Sequence, residues 1–179
     1  MLKSKYSIRL GTTQDTPWIM EAIELCRPIL AAHQSGQWQG TEPSKKTIEN
    51  DILHRQFYLL TFNDRLIGGA ALLPRDNAYD HLLSGAWLNQ DPYIVIHRFF
   101  IHPTFHGQKL SKVFLTLIEE WVWRKGINNI RLDTHERNIP MKGLLRSMSY
   151  LQVGRVNLPQ AGERMVYHKE RGFKHEFKR

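Results

Sequence analysis

Cysteine is almost missing from this chain: among 179 residues there is one, Cys26. A lone thiol excludes an internal disulfide and a cysteine-built zinc site, and it fits a reducing, cytoplasmic setting. Long apolar runs are missing as well. No stretch approaches the roughly 20 consecutive apolar residues that span a bilayer, so no membrane partner is expected. The opening MLKSKYSIRL lacks an apolar segment followed by a small-residue cleavage site, so no signal peptide is expected. Acidic residues are in deficit, 17 against 25 Lys and Arg, for a formal charge of +8. That imbalance favours anionic partners such as a phosphorylated cofactor. Part of the excess lies at the end, in Lys169, Arg171, Lys174, Lys178 and Arg179, and reads as a solvated tail over 169–179. The basic residues do not cluster on one predicted helix and no nucleic-acid motif is present, so nucleic acid is not an expected partner. Repeats, low-complexity tracts and linker composition are also absent. With 41% hydrophobic residues, the chain is expected to form one domain, 1–179.

What is present is organised around residues 94–123. The apolar run IVIHRFFI, residues 94–101, suits a buried strand, and 102–107, with Pro103 and Gly107, forms a turn. Leu110, Val113, Phe114, Leu117, Ile118, Trp121 and Val122 then mark one face of an amphipathic helix. A strand, tight turn and helix point main-chain N–H groups and a positive helix end outward, an arrangement suited to phosphate.

The rest of the chain alternates in the same manner. Residues 6–10 read as a strand and TQDTP as a helix start. Pro28 is expected to bend or end that helix, with a second piece through Ala32. Residues 33–43 read as a polar loop carrying Trp38, which either lines a pocket or covers part of the core. Ser44 caps a helix over 45–54, and strands at 57–62 and 66–73 form a hairpin about Asn63-Asp64. Residues 74–92 are irregular, hold Tyr79, His81 and Trp87, and read as a binding loop or a hidden strand edge or short helix. Gly126 ends the long helix; a strand at 129–134, a helix at 139–149 and strands at 151–156 and 164–167 close the pattern. This order defines an α/β layered fold.

Ile101-His102-Pro103 and the following His106, Gly107, Gln108, Lys109, Leu110 and Ser111 resemble the strand end and pyrophosphate loop of the GNAT family of N-acetyltransferases. The family loop runs Gln/Arg-x-x-Gly-x-Gly/Ala. A second landmark agrees: Asn138, Met141, Leu144, Leu145, Ser149 and Tyr150 fall without a gap on the family's helix following its fifth strand. The likeness covers about residues 6–168. It implies an α/β domain with a mixed central sheet of six to seven strands flanked by about four helices. It also implies acetyl-CoA as acyl donor, direct attack of an amine on the thioester, and a small-molecule or protein amine as acceptor. Phe99, Phe100 and Ile101 are then expected along the pantetheine arm, residues 106–111 at the pyrophosphate, and Asn138 on pantetheine or CoA.

Four positions depart from the family pattern. Lys109 replaces the loop glycine and is expected to fit only with right-handed helical dihedrals, adding an ammonium for phosphate. His106 stands where Gln or Arg is usual, its ring or main-chain N–H serving as donor, and Ser111 replaces Gly or Ala. Leu145 stands where many members carry a Tyr that protonates the leaving thiolate; Tyr150 is expected to pack. For the base, His97 sits on the central strand just before the pantetheine contact, and imidazole titrates near neutrality. Arg98 is expected on the opposite face, binding a substrate carboxylate or a core carboxylate. Asp133 and His135 are expected to share a face at the neighbouring strand's end as a second acid–base pair. Trp38 and Trp87 are candidate substrate contacts. The nine histidines show no helical pair at ligand spacing with carboxylates, so no metal is expected. Two readings stay open: an N-acetyltransferase, or a non-catalytic acyl-CoA binder or sensor of the same fold. A homodimer through the closing strands is a further expectation.

Overall fold

The computed structural model describes residues 6–159 and 161–172. In chain order these form β1 (Tyr6–Leu10), α1 (Thr16–Ala32), α2 (Lys45–Leu53), β2 (Phe57–Phe62), β3 (Arg65–Leu73), β4 (Leu82–Gly85) and β5 (Tyr93–Ile101). They continue with α3 (Leu110–Arg124), β6 (Asn129–Thr134), α4 (Ile139–Ser147), β7 (Leu151–Leu158) and β8 (Gly162–Glu170). The expected α/β fold is present, with four helices on one mixed sheet of eight strands ordered β1-β2-β3-β5-β6-β8-β7-β4. The strand beyond the expected six to seven is β4, hidden in the irregular segment and paired to β7. Only four residues long and flanked by a short 3-10 turn at Asn77–Asp80, it gives too little alternation to read from sequence. Among the described residues no helix is long and apolar enough to cross a membrane.

Two of three buried clusters among the described residues pack helices on the two faces of the sheet; the third gathers Tyr79, Val95, Val156 and Val166. On one face, α3 buries Leu110, Phe114, Ile118 and Val122 against Ile94, Ile96, Ile130 and Leu132. These helix residues are four apart, so they form a single stripe. Phe114 is fully buried, and its truncation to Ala is expected to cost about 3–5 kcal/mol. On the other face, α1 and α2 bury Ile19, Ile23, Ile48 and Ile52 against Phe57, Leu59 and Phe100.

Pro28 does not end the helix, one of the two outcomes expected of it. It lies inside α1, which runs unbroken to Ala32. Proline removes one N–H, but α1 stays packed through Ile19, Ala22, Ile23 and Cys26, and tertiary burial overrides the local signal. Ser44 caps α2 as expected, its Oγ accepting from the Thr47 N–H at 3.2 Å. The chain's end also differs from expectation. Lys169 is not part of a solvated tail but lies in β8, its Nζ 2.7 Å from the buried Glu119 carboxylate. Residues 1–5 and, from the basic tail, Lys174, Lys178 and Arg179 lie outside the described residues.

Candidate active site

β5 and β6 are the sheet's parallel neighbours, and they pair only from Tyr93↔Asn129 to Ile96↔Leu132. Beyond that point β5 stays with β3, through Phe100↔Gly69 and Ile101↔Gly68, while β6 follows β8 to Thr134↔Met165. The two strands part at their carboxyl ends, where open α/β sheets bind ligands. A cleft of about 770 Å³ occupies the gap.

A bulge shapes its floor. Between Ala71↔His97 and Gly69↔Phe100, β3 spends one residue and β5 spends two, Arg98 and Phe99. Arg98 takes φ +53, a left-handed backbone. The expected alternation is therefore wrong at this point: His97 and Arg98 lie on the same face. Phe99 turns to the α3 side, stacking on Phe114 at 5.1 Å, and Phe100 turns to Trp18 and Trp38. Opposite the bulge the strands come so close that a Cβ on Gly68 would meet the Phe100 carbonyl oxygen at 2.4 Å.

One wall of the cleft is main chain. The His102 N–H donates to the Ile67 carbonyl at 2.9 Å, so by alternation the polar groups of Phe99 and Ile101 point away from β3 and toward the cleft. After a 3-10 turn at Pro103–Phe105, Gly107 takes φ +77 and Lys109 φ +59, and α3 begins. The N–H groups of Gly107, Gln108, Lys109, Leu110 and Ser111 meet no acceptor among the described residues. An open helix end of this kind is suited to an anion. Lys109 is left-handed rather than right-handed helical as expected, a conformation that costs a Cβ-bearing residue about 1–2 kcal/mol. His106 is not the expected donor. Its Nε2–H is spent on the Ile101 carbonyl at 2.8 Å and its main-chain N–H on Pro103 at 3.0 Å, so it braces the loop. Cys26 also borders this wall; burial pushes its thiol up to about 11, far from a thiolate at neutral pH.

The other wall is side chains. His97, 16% exposed, sets Nε2 2.7 Å from Asp76 Oδ2 and Nδ1 3.6 Å from Asp133 Oδ1. The Tyr79 hydroxyl donates to Asp133 Oδ1 at 2.6 Å. The hydrogen bond from His97 holds the Asp76 carboxyl below the usual carboxylate range. The expected Asp133–His135 pair is replaced by Asp133 with His97. His135 falls beyond β6, its Nδ1 accepting from the Arg137 N–H at 3.2 Å. Burial, then the charge of Arg164, lowers its pKa. Of the two readings for Arg98 the core carboxylate is the one formed: Nη2 donates to Asp51 Oδ1 at 2.9 Å, and Nε lies 2.7 Å from Oδ2.

Trp38 lines the cleft, edge-on to Phe100 at 6.4 Å between ring centres. Its loop is held from below by Arg27, which donates to the carbonyls of Trp38, Gly40 and Glu42. Trp87 lies behind the cleft. It donates to the Tyr79 carbonyl at 2.9 Å and stacks against Tyr79 and Arg131, so it supports the Tyr79–Asp133 contact instead of touching a ligand. Asn138 caps α4 through the Met141 N–H at 3.2 Å and donates to Gln37 at 3.0 Å, tying the Trp38 loop to α4. Leu145 is fully buried and Tyr150 packs in the same core, as expected. Asp76, Arg27, Gln37 and Arg164 were missed from sequence. Only Asp76 had a local signal, an Asx turn in which Oδ1 accepts from the Ala78 N–H at 2.8 Å.

The parted sheet, its bulge and the open helix end define an α/β protein with a cleft at the carboxyl ends of its two parallel strands. The model of the acetyltransferase (GNAT) family matches residues 23–150, and the chain belongs to that family. An acetyltransferase of the GNAT family from Streptococcus agalactiae is 30% identical, with TM-score 0.85 over 94% of this chain and 96% of that one. PaiA N-acetyltransferase from Thermoplasma acidophilum, in complex with coenzyme A, is 19% identical, with TM-score 0.67 over 93% and 99%. An aminoglycoside acetyltransferase in complex with coenzyme A is 17% identical, with TM-score 0.69 over 93% and 95%. The likeness to these last two is one of fold. No curated protein matches the chain.

Proposed function

We propose that this single domain is an acetyl-CoA-dependent N-acetyltransferase acting on a primary amine of a small molecule or protein. The observation that carries the reading is the placement of His97, between Asp76 and Asp133, at the mouth of the gap that leads to the open α3 end.

The residues fit the donor. The free N–H groups of residues 107–111 and the Lys109 ammonium suit a pyrophosphate. The cleft-facing main chain of Phe99 and the Ile101 N–H suit an amide-bearing arm laid down as an added strand, with Asn138 and Leu144 as its far border. When bound, acetyl-CoA supplies an activated acyl carbon whose C–S bond breaks as the amine forms a C–N bond.

His97 handles the amine's proton. With Nε2–H donated to Asp76, Nδ1 keeps its lone pair and receives the proton, and Asp133 stabilises the resulting imidazolium. Tyr79 orients Asp133 and is itself fixed by Trp87. The leaving thiolate takes its proton from solvent, since Leu145 is buried and no Tyr lines the cleft among the described residues.

The test has two stages. Calorimetry with CoA is expected to show binding, and thiol release from acetyl-CoA across an amine panel is expected to show turnover. Absence of CoA binding at high micromolar concentration refutes the reading. Binding without thiol release selects the non-catalytic acyl-CoA binder.

A further inference from the structure

Among the described residues, Arg98, Lys169 and Arg131 each meet a counterpart within the fold. Arg98 has Asp51 at 2.7 Å and Lys169 has Glu119 at 2.7 Å. Arg131 is sandwiched by Trp87 and Tyr93 and donates to the Asn89 carbonyl at 2.7 Å. Arg164 is 6% exposed and donates Nη1 to the adjacent Glu163 carbonyl at 2.9 Å. Among the described residues no carboxylate pairs with it. Burial lowers its pKa more than the charge of Asp133 raises it, the mark of a charge that has lost water without a full replacement. A guanidinium nonetheless stays charged, and its fork of donors matches a planar carboxylate.

Its position gives this imbalance a use. Arg164 borders the same cleft as His97. β6 and β8 pair Asp133 with Val166 and Thr134 with Met165, so the register continues to place Arg164 opposite His135. Alternation puts it on the sheet face of Asp133, two residues and about 7 Å along the ladder. The cleft thus has an acidic pole, Asp76 and Asp133 flanking His97, and a basic pole at Arg164. Two poles of opposite sign on one wall match a molecule carrying both an amine and an acid.

We infer that Arg164 selects the acceptor: the acceptor carries a carboxylate that pairs with Arg164 while its amine meets His97. The inference rests on the transferase reading and narrows its substrate to amino acids, ω-amino acids or the carboxyl-bearing end of a peptide. The donor's phosphates are assigned to the α3 end, so Arg164 has no part in holding them.

The experiment compares thiol release with matched acceptors: an amino acid against its amide, and an ω-amino acid against the corresponding alkylamine. The acid member is expected to have kcat/KM higher by about tenfold or more, carried by KM. Arg164→Gln is expected to erase the preference by raising KM for the acid member, leaving kcat and the Kd for CoA unchanged; Arg164→Lys is expected to restore part of it. Unchanged CoA affinity also reports that the variant has folded. The inference is overturned if amides and alkylamines turn over as well as the acids. It is equally overturned if Arg164→Gln slows both classes alike, if it weakens CoA, or if CoA binds and no acid of the panel reacts. Failure of the parent protein to bind CoA overturns the transferase reading instead.

Discussion

On the α3 side of the cleft the ligand-facing groups are main chain: five N–H groups from residues 107–111 and the edge of Phe99 and Ile101. On the β6–β8 side they are side chains: His97, Asp76, Asp133 and Arg164. A main-chain wall survives changes of side chain, which is why Lys109 and Ser111 can stand at glycine or alanine positions without closing the loop. A side-chain wall changes character with each substitution. On the proposed reading, substrate choice belongs to the second wall and donor binding to the first.

That division is open to attack by mutation. The largest effect is expected from His97→Gln, which is expected to lower kcat on the order of a hundredfold or more while leaving the Kd for CoA within about twofold. If CoA binding collapses as well, the walls are not separable. Gly107→Pro attacks the other wall. Proline holds φ near −65°, against the +77° found here, and it deletes an N–H. Calorimetry is expected to show CoA affinity falling by about tenfold to a hundredfold; unchanged affinity means the pyrophosphate loop lies elsewhere.

Lys109→Gly sharpens the contrast because its two effects have opposite sign. Relief of the left-handed Lys is expected to raise stability by up to about 1 kcal/mol, read as a slightly higher Tm. Loss of the ammonium is expected to weaken CoA and flatten the dependence of its Kd on salt. A variant that binds CoA as well as the parent assigns the phosphate contact to main chain alone.

The smallest effect lies outside both walls and calibrates them. The hydrogen bond from Arg9 pulls the Asp15 carboxyl down to about 2, from an ordinary value of 3.8. A lowered carboxyl favours the folded state above its unfolded value and loses that contribution as pH falls through its folded one. The pair therefore stabilises at pH 4 and above and fades toward pH 2. Arg9→Met is expected to flatten acid unfolding across that window. Because Arg9 is exposed, the change at neutral pH is expected to stay within about 1 kcal/mol.

The sequence carried the main-chain wall almost whole. A run of apolar residues, Pro103, Gly107 and a seven-residue apolar helix face are local signals, and they placed β5, the loop and α3 within a residue or so. The side-chain wall was half legible. His97 and Asp133 were found because they sit on strands near the cofactor path, but their pairing with each other, and the exclusion of His135, depend on where β6 ends. Arg164 gave no signal: an arginine starting a closing strand looks like surface until β8 is laid against β6. Trp87 misled for the same reason, since an aromatic in an irregular segment reads as a pocket residue when its true neighbours, Tyr79 and Arg131, are brought in by the sheet.

The extra residue at Arg98 is a phase slip in β5. Before it, odd and even positions of the strand obey one assignment of inside and outside; after it, the assignment is inverted. Drawing the strand straight with every residue kept would pair it evenly with β3, and it would also carry Phe99, Phe100 and Ile101 each to the opposite side of the sheet. Phe100 would leave Trp18 and Trp38, and Phe99 would leave Phe114. A regular strand at this position would mispack both hydrophobic layers together, so the irregularity that opens the cleft is locked in by the cores on either side of it.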